Sequence, residues 1–106
     1  AARWYLLAAL AGNADAQANL GSLWMTGKGV AGQDHAEAAV WLRYASAQGH
    51  AQAQNNLGFL HLTGQGVPQD LQQAAKYYRR AARQGHPGAQ ANLASLCQQG
   101  AGGLPQ

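Results

Sequence analysis

The sequence predicts an all-α fold, arranged as a solenoid of antiparallel helix pairs. Three observations carry that prediction. Strand formers are scarce: the 106 residues hold three Val, no Ile and two Thr, against abundant Ala, Gln and Leu, which favour helix. The glycines gather at Gly27/Gly29, Gly64/Gly66 and Gly100/Gly102/Gly103, so they read as punctuation between elements. The third observation is an internal repeat, which decides the architecture.

Asn19-Leu20-Gly21 returns as Asn56-Leu57-Gly58, 37 residues on, and Trp4, Gly12, Ala16-Gln17, Thr26-Gly27 and Gly29-Val30 return at the same offset as Trp41, Gly49, Ala53-Gln54, Thr63-Gly64 and Gly66-Val67. The next interval is 36: Gln33-Asp34, Ala38-Ala39, Gln48-Gly49-His50 and Asn56-Leu57 return as Gln69-Asp70, Ala74-Ala75, Gln84-Gly85-His86 and Asn92-Leu93. The missing residue falls between VAGQD and VPQD, in a loop, where a length change costs little.

Each unit reads as two helices, giving about six in all: 1–12, 15–26, 34–48, 51–63, 70–84 and 87–99. The first, AARWYLLAALAG, looks like the interior of a helix. The second and sixth follow by equivalence with the fourth. In the fourth, Ala53, Leu57, Leu60 and His61 fall on one helical stripe. The third follows from the fifth, where Ala74, Tyr78, Ala81 and Ala82 form a stripe with Tyr77 beside it. Neither stripe shows the period-two alternation of a strand. Small residues at Gly21/Gly58/Ala94 and Ala45/Ala81 are expected to let backbones approach, with Leu20, Leu57, Leu93, Trp41 and Tyr77 filling the remaining space. One pair cannot bury its apolar face alone; stacked pairs can. The expected division is a single domain over 1–106. Residues 1–12 are the second helix of a truncated repeat, 15–48 and 51–84 are complete repeats, and 87–106 holds the first helix of another truncated repeat. The apolar beginning at Trp4, Tyr5, Leu6 and Leu7 suggests a fragment of a longer solenoid, with self-association through its ends as one consequence.

The stretch TGQGVPQD, Thr63 to Asp70, raises the question of a nucleotide loop. A dinucleotide fingerprint needs a preceding strand and a third glycine, and a P-loop needs Gly-Lys-Ser/Thr. Here the loop follows a helical stripe, and its near-copy TGKGV has Lys28 followed by glycine. A structural role accounts for every residue. Gly64 ends a helix in the left-handed conformation, Gly66 continues the turn, and Val67 tucks into the core. Pro68 restricts the chain, and Asp70, like Asp34, caps the next helix.

The charge balance is +3, below what a nucleic-acid-binding domain usually carries, and no nucleic-acid partner is expected. Four of seven cations lie in Lys76, Arg79, Arg80 and Arg83. They read either as a solvated helix face near a C-terminus, where the dipole favours cations, or as a patch for an anionic partner. No apolar run approaches the ~20 residues of a membrane span. One cysteine, Cys97, forms no intrachain disulfide and leaves the redox compartment open. Bacterial periplasm and cytoplasm both remain, with a lean to the periplasm.

Little supports catalysis, and no cofactor or metal is expected. His50 and His86 are equivalent positions one repeat apart, set by the ~10 Å spacing of neighbouring helices, too far to share a zinc at ~2 Å. His61 and Cys97 replace a core aromatic and are expected to be packed. Four acids leave little for a carboxylate pair, and Asp34 and Asp70 are explained as caps.

The segments AQANLGSLWMTGKGV (Ala16–Val30) and AQNNLGFLHLTGQGVPQDLQQAAKYYRRAARQGHPGAQ (Ala53–Gln90) resemble Sel1-like repeats, relatives of the tetratricopeptide repeat. The family pattern is A-x-x-x-L-G-x-x-Y, then G-x-G-V-x-x-D, then A-x-x-W/Y-x-x-x-A and G. The aromatic position holds Trp24 in one copy but departs to His61 and Cys97 in the next two, and GAGGLPQ carries one extra residue and stops where its Asp is due. The resemblance implies a right-handed superhelix whose first helices line a concave face. It also implies a bacterial protein-interaction scaffold or adaptor rather than an enzyme. On this chain that face carries Asp15, Ala18, Ser22, Met25 and Thr26, then Gln52, Asn55, Phe59, Leu62 and Thr63, then Gly88, Ala91, Ser95, Gln98 and Gln99. Asn55, Phe59 and Leu62 stand out: Asn55 lies in a row otherwise Ala, and Phe59 replaces Ser. Phe59 reads equally as an exposed anchor or as packing against a neighbouring helix. The alternatives are a dedicated bacterial inhibitor or immunity protein, and, more remotely, an enzyme with an unrecognised site.

Overall fold

In the computed structural model, the backbone of residues 2–27 and 34–98 and the side chains of residues 6–27 and 34–98 are described. The expectations for Trp4, Tyr5, Lys28, Gly29, Val30, Gln99 and the segment GAGGLPQ lie outside these residues. Six helices follow in order: α1 (Ala2–Leu10), α2 (Ala14–Thr26), α3 (His35–Ala47), α4 (Ala51–Thr63), α5 (Leu71–Arg83) and α6 (Pro87–Gln98). They match the predicted segments to within one or two residues. Each helix packs on its chain neighbours, and α2 also meets α4. The stack measures 43 × 25 × 17 Å, the long shape expected when each repeat touches only its neighbours.

The helix ends follow the repeat. Asp34 Oδ1 accepts from the Glu37 amide, and Asp70 Oδ1 accepts from the amides of Gln72 and Gln73. Each cap is worth about 1 kcal/mol. Three equivalent positions cap α2, α4 and α6: Asn13 Oδ1, His50 Nδ1 and His86 Nδ1 accept from the amides of Ala16, Ala53 and Ala89. At its C-terminus α4 ends on Gly64 at φ 71°, and its amide donates to Leu60 O. Gly66 is also left-handed, at φ 72°, and it lies directly on the backbone of His35 and Ala36 at the start of α3. A Cβ there would have nowhere to go.

The core runs through both complete repeats. Ala18, Ala38, Ala39, Leu42, Ala45, Ala53, Leu57, Leu60 and Val67 form its centre, with Trp24, Met25 and Tyr77 against it. Ala9, Ala16, Leu20 and Trp41 close one end, and Ala74, Ala75, Tyr78 and Leu96 the other. Alanine dominates because the helices lie close. The Cβ position of Gly21 is 2.7 Å from the Leu42 side chain, and that of Gly58 is 2.9 Å from the Tyr78 ring. Ala94, expected to share this role, is exposed, because among the described residues no further helix covers that side of α6.

A polar spine joins the repeats. Gln17 Nε2 donates to Ala9 O, and Gln17 Oε1 accepts from Gln48 Nε2. Gln54 does the same between Ser46 O and Gln84 Nε2. Gln90 donates to Ala82 O. Each glutamine thus answers a carbonyl near the end of the preceding helix, where no intrahelical donor remains. Gln17 and Gln54 are buried, so each side-chain amide depends on these bonds for the partners that water would otherwise supply.

Candidate protein-binding faces

Two faces of the stack present side chains that differ between repeats. The first is formed by α2, α4 and α6. Across it, Asn56 Nδ2 donates to Ser22 Oγ, Asn92 Nδ2 donates to Asn55 Oδ1, and Gln52 Nε2 donates to Asn56 Oδ1. His86 Nε2 lies 2.8 Å from Gln52 Oε1, and His50 Nε2 lies 2.9 Å from Asp15 Oδ1. Because Nδ1 of each ring accepts a cap hydrogen bond, the proton of the neutral imidazole sits on Nε2, which donates to these oxygens. Asp15, Ser22, Gln52 and Asn55 therefore bridge neighbouring helices as well as facing outward.

Phe59 stands out on this face. It is 42% exposed, while its neighbours Leu57 and Leu60 are fully buried. At the equivalent positions in the adjoining repeats stand Ser22 and Ser95, so the ring projects between two small side chains. Leu62 and Met25 are half-buried beside the core. Ser95 and Gln98 are exposed, as are Thr63, Gly88 and Ala91. Ala18, placed on this face by the repeat pattern, is instead buried at 3%. Its methyl turns into the helix contacts, and the longer Asn55 at the same position reaches outward.

The second face is the outer side of α1, α3 and α5. On α5, Ala74, Ala75, Tyr78 and Ala81 are buried, and Lys76, Arg79, Arg80 and Arg83 are exposed on the opposite side. The Arg80 guanidinium lies 5.5 Å above the Tyr77 ring, and Tyr77 stacks on His61 at 5.7 Å with an interplanar angle of 6°. His61 is buried, with Nδ1 3.4 Å from Pro68 O, as its core position predicted. Cys97 is half-buried. On the equivalent side of α1 and α3 the described residues are mostly apolar: Leu6, Leu7, Leu10, Val40 and Tyr44 are all at least 40% exposed, with Arg43 exposed among them. Beside them opens a groove of about 290 Å³ lined by Ala9, Leu10, Gly12, Gln17, Trp41 and Tyr44. Sequence reasoning found Leu6 and Leu7 but missed Val40, Tyr44 and the groove. The signal was available, since Val40 and Tyr44 align with Lys76 and Arg80.

No helix among the described residues is long and apolar enough to cross a membrane. The buried Tyr78 hydroxyl has no hydrogen-bond partner, and burial pushes its pKa up to about 12.

Helix pairs tied by a recurring polar spine define a helical-repeat solenoid. The Sel1 repeat model matches residues 1–13, 14–50, 51–86 and 87–106, and the chain belongs to the Sel1 repeat family. A Sel1 repeat protein from Oxalobacter formigenes superposes with a TM-score of 0.87 at 39% identity, over 95% of this chain and 41% of that one. A protective antigen present in uropathogenic Escherichia coli strains, which displays the same fold, superposes with a TM-score of 0.89 at 36% identity, over 96% of this chain and 22% of that one. This chain thus spans less than half of either. No curated protein matches it with significance. Sel1 repeats generally act as protein–protein interaction scaffolds, and the fold is typically non-catalytic.

Proposed function

We propose that this chain is a scaffold that binds a protein or peptide partner along the concave face made by α2, α4 and α6, with Phe59 as the apolar anchor. The observation that carries this reading is the exposure of the chain's single Phe, 42%, on a row otherwise serine. Aromatic side chains at the centre of a face supply much of an interface's affinity. Met25 and Leu62 extend the apolar strip around it, and Asp15, Ser22, Gln52, Asn55, Ser95 and Gln98 form a polar rim suited to hydrogen bonding a partner backbone. The bridging hydrogen bonds at Ser22, Gln52 and Asn55 hold this rim in place before binding, which lowers the ordering cost.

The test uses the chain as bait, with captured proteins identified by mass spectrometry and then titrated as purified partners. Phe59→Ala should weaken binding by about tenfold or more, roughly 1.4 kcal/mol, and leave the melting temperature close to that of the parent. Val40→Ala, on the outer face, should leave affinity unchanged. Equal affinity of the parent and Phe59→Ala for every partner would end the proposal.

A further inference from the structure

The chain has seven cations and four carboxylates, and all four carboxylates are engaged elsewhere in the fold. Asp15 accepts from His50, Asp34 and Asp70 cap α3 and α5, and Glu37 Oε1 accepts from Trp41 Nε1. None of them pairs with the row on α5. There Lys76, Arg79, Arg80 and Arg83 stand at i, i+3, i+4 and i+7, all exposed. This spacing sets Lys76 against Arg80 and Arg79 against Arg83, and like charges at i, i+4 destabilise a helix. The helix dipole offsets only about half a charge at the C-terminus, against four. An uncompensated row of this kind calls for an external counter-charge.

We propose that the α5 row is a docking site for an acidic protein segment, whose carboxylates pair with Arg79, Arg80, Arg83 and Lys76. Three of the four cations are Arg, whose planar fork matches a carboxylate with two parallel hydrogen bonds. Arg80 is positioned in advance. Its guanidinium lies over the ring of Tyr77, which stacks on the buried His61, and such a contact lowers the ordering cost of binding. The row spans roughly 10 Å, the length of a few residues of extended chain. Single-stranded nucleic acid needs open aromatic platforms, and Tyr77 already has Arg80 against one side and His61 stacked on it. Seating on a membrane surface uses apolar side chains that insert among the cations; α5 itself exposes no large apolar residue, and those of the outer side lie on α1 and α3. This site is separate from the Phe59 face and stands or falls independently of it.

Fluorescence anisotropy with labelled octaglutamate tests the proposal on the intact chain. The peptide should bind at low ionic strength and weaken steeply as salt rises. The double variant Arg79→Ala/Arg83→Ala should lose roughly tenfold in affinity. Arg43→Ala, which removes a cation outside the row, and Phe59→Ala should each stay within about twofold, separating a local site from net charge and from the concave face. All these side chains are exposed, so the variants should keep the parent's helical circular dichroism. The proposal is overturned if octaglutamate fails to bind, or if the double variant binds as well as the parent. It is equally overturned if an oligothymidylate strand or phosphatidylserine vesicles bind more tightly than the peptide.

Discussion

The outer sides of α3 and α5 occupy the same place in successive repeats, yet one is mostly apolar, with a single Arg, and the other cationic. Val40 aligns with Lys76, Tyr44 with Arg80 and Ala47 with Arg83, while Arg43 and Arg79 coincide. The inner sides of the same two helices barely differ: Ala38, Ala39, Leu42 and Ala45 against Ala74, Ala75, Tyr78 and Ala81, all buried. Packing at close helix spacing restricts the inner positions to small or shape-matched residues. Solvent places no such demand on the outer ones. The differences between repeats therefore mark where a partner could select, and the likenesses mark where the stack holds itself together.

Three experiments break or sharpen this contrast. The largest effect is expected where the repeats touch through backbone. Gly66→Ala should destabilise by about 3 kcal/mol, because φ is positive and a Cβ meets the His35 carbonyl. Urea denaturation measures it, and a loss below about 1 kcal/mol would show that the inter-repeat contact yields easily.

A smaller, pH-dependent effect belongs to Tyr78, on the inner side. Its hydroxyl is buried without a partner, so Tyr78→Phe should be as stable as the parent at neutral pH, or more so by up to about 1 kcal/mol. The raised pKa sets the sign at alkaline pH. The unfolded tyrosine ionises near 10 and the folded one near 12, so above pH 10 the unfolded state binds fewer protons and stability falls. Across that window the parent should lose up to about 2 kcal/mol relative to Tyr78→Phe. Parallel stability–pH curves for the two proteins would refute the assignment.

The smallest stability effect is expected on the outer side. The double variant Val40→Lys/Tyr44→Arg gives α3 the α5 pattern. Melting should change by no more than about 0.5 kcal/mol, while affinity for octaglutamate should rise. Substantial unfolding would mean that the outer side of α3 is part of the core after all.

Much of the frame was legible in the sequence. The 37- and 36-residue offsets located every helix, and Asp34, Asp70, Gly64 and Val67 take the roles their turn chemistry implied. Such roles depend on local geometry, which a few adjacent residues specify. The glutamine spine was visible only as a recurrence of Ala-Gln. Its meaning lies in hydrogen bonds spanning up to 31 residues, which no local pattern reports. His50 and His86 were recognised as equivalent, but their capping role depends on which ring nitrogen meets the backbone. Ala18 was placed outward because helical spacing gives a face without saying how deep a small side chain sits on it.

The sequence by itself determined the fold class, the repeat length and the helix boundaries, because period, capping and glycine conformation act over a few residues at a time. Only the tertiary structure decided that Phe59 is exposed, that Tyr77 stacks on the buried His61, and that Ala18 is buried. Only the stack, likewise, showed that no carboxylate reaches the α5 cations. Those outcomes turn on distances between residues from different repeats, and such distances exist only once the helices have stacked.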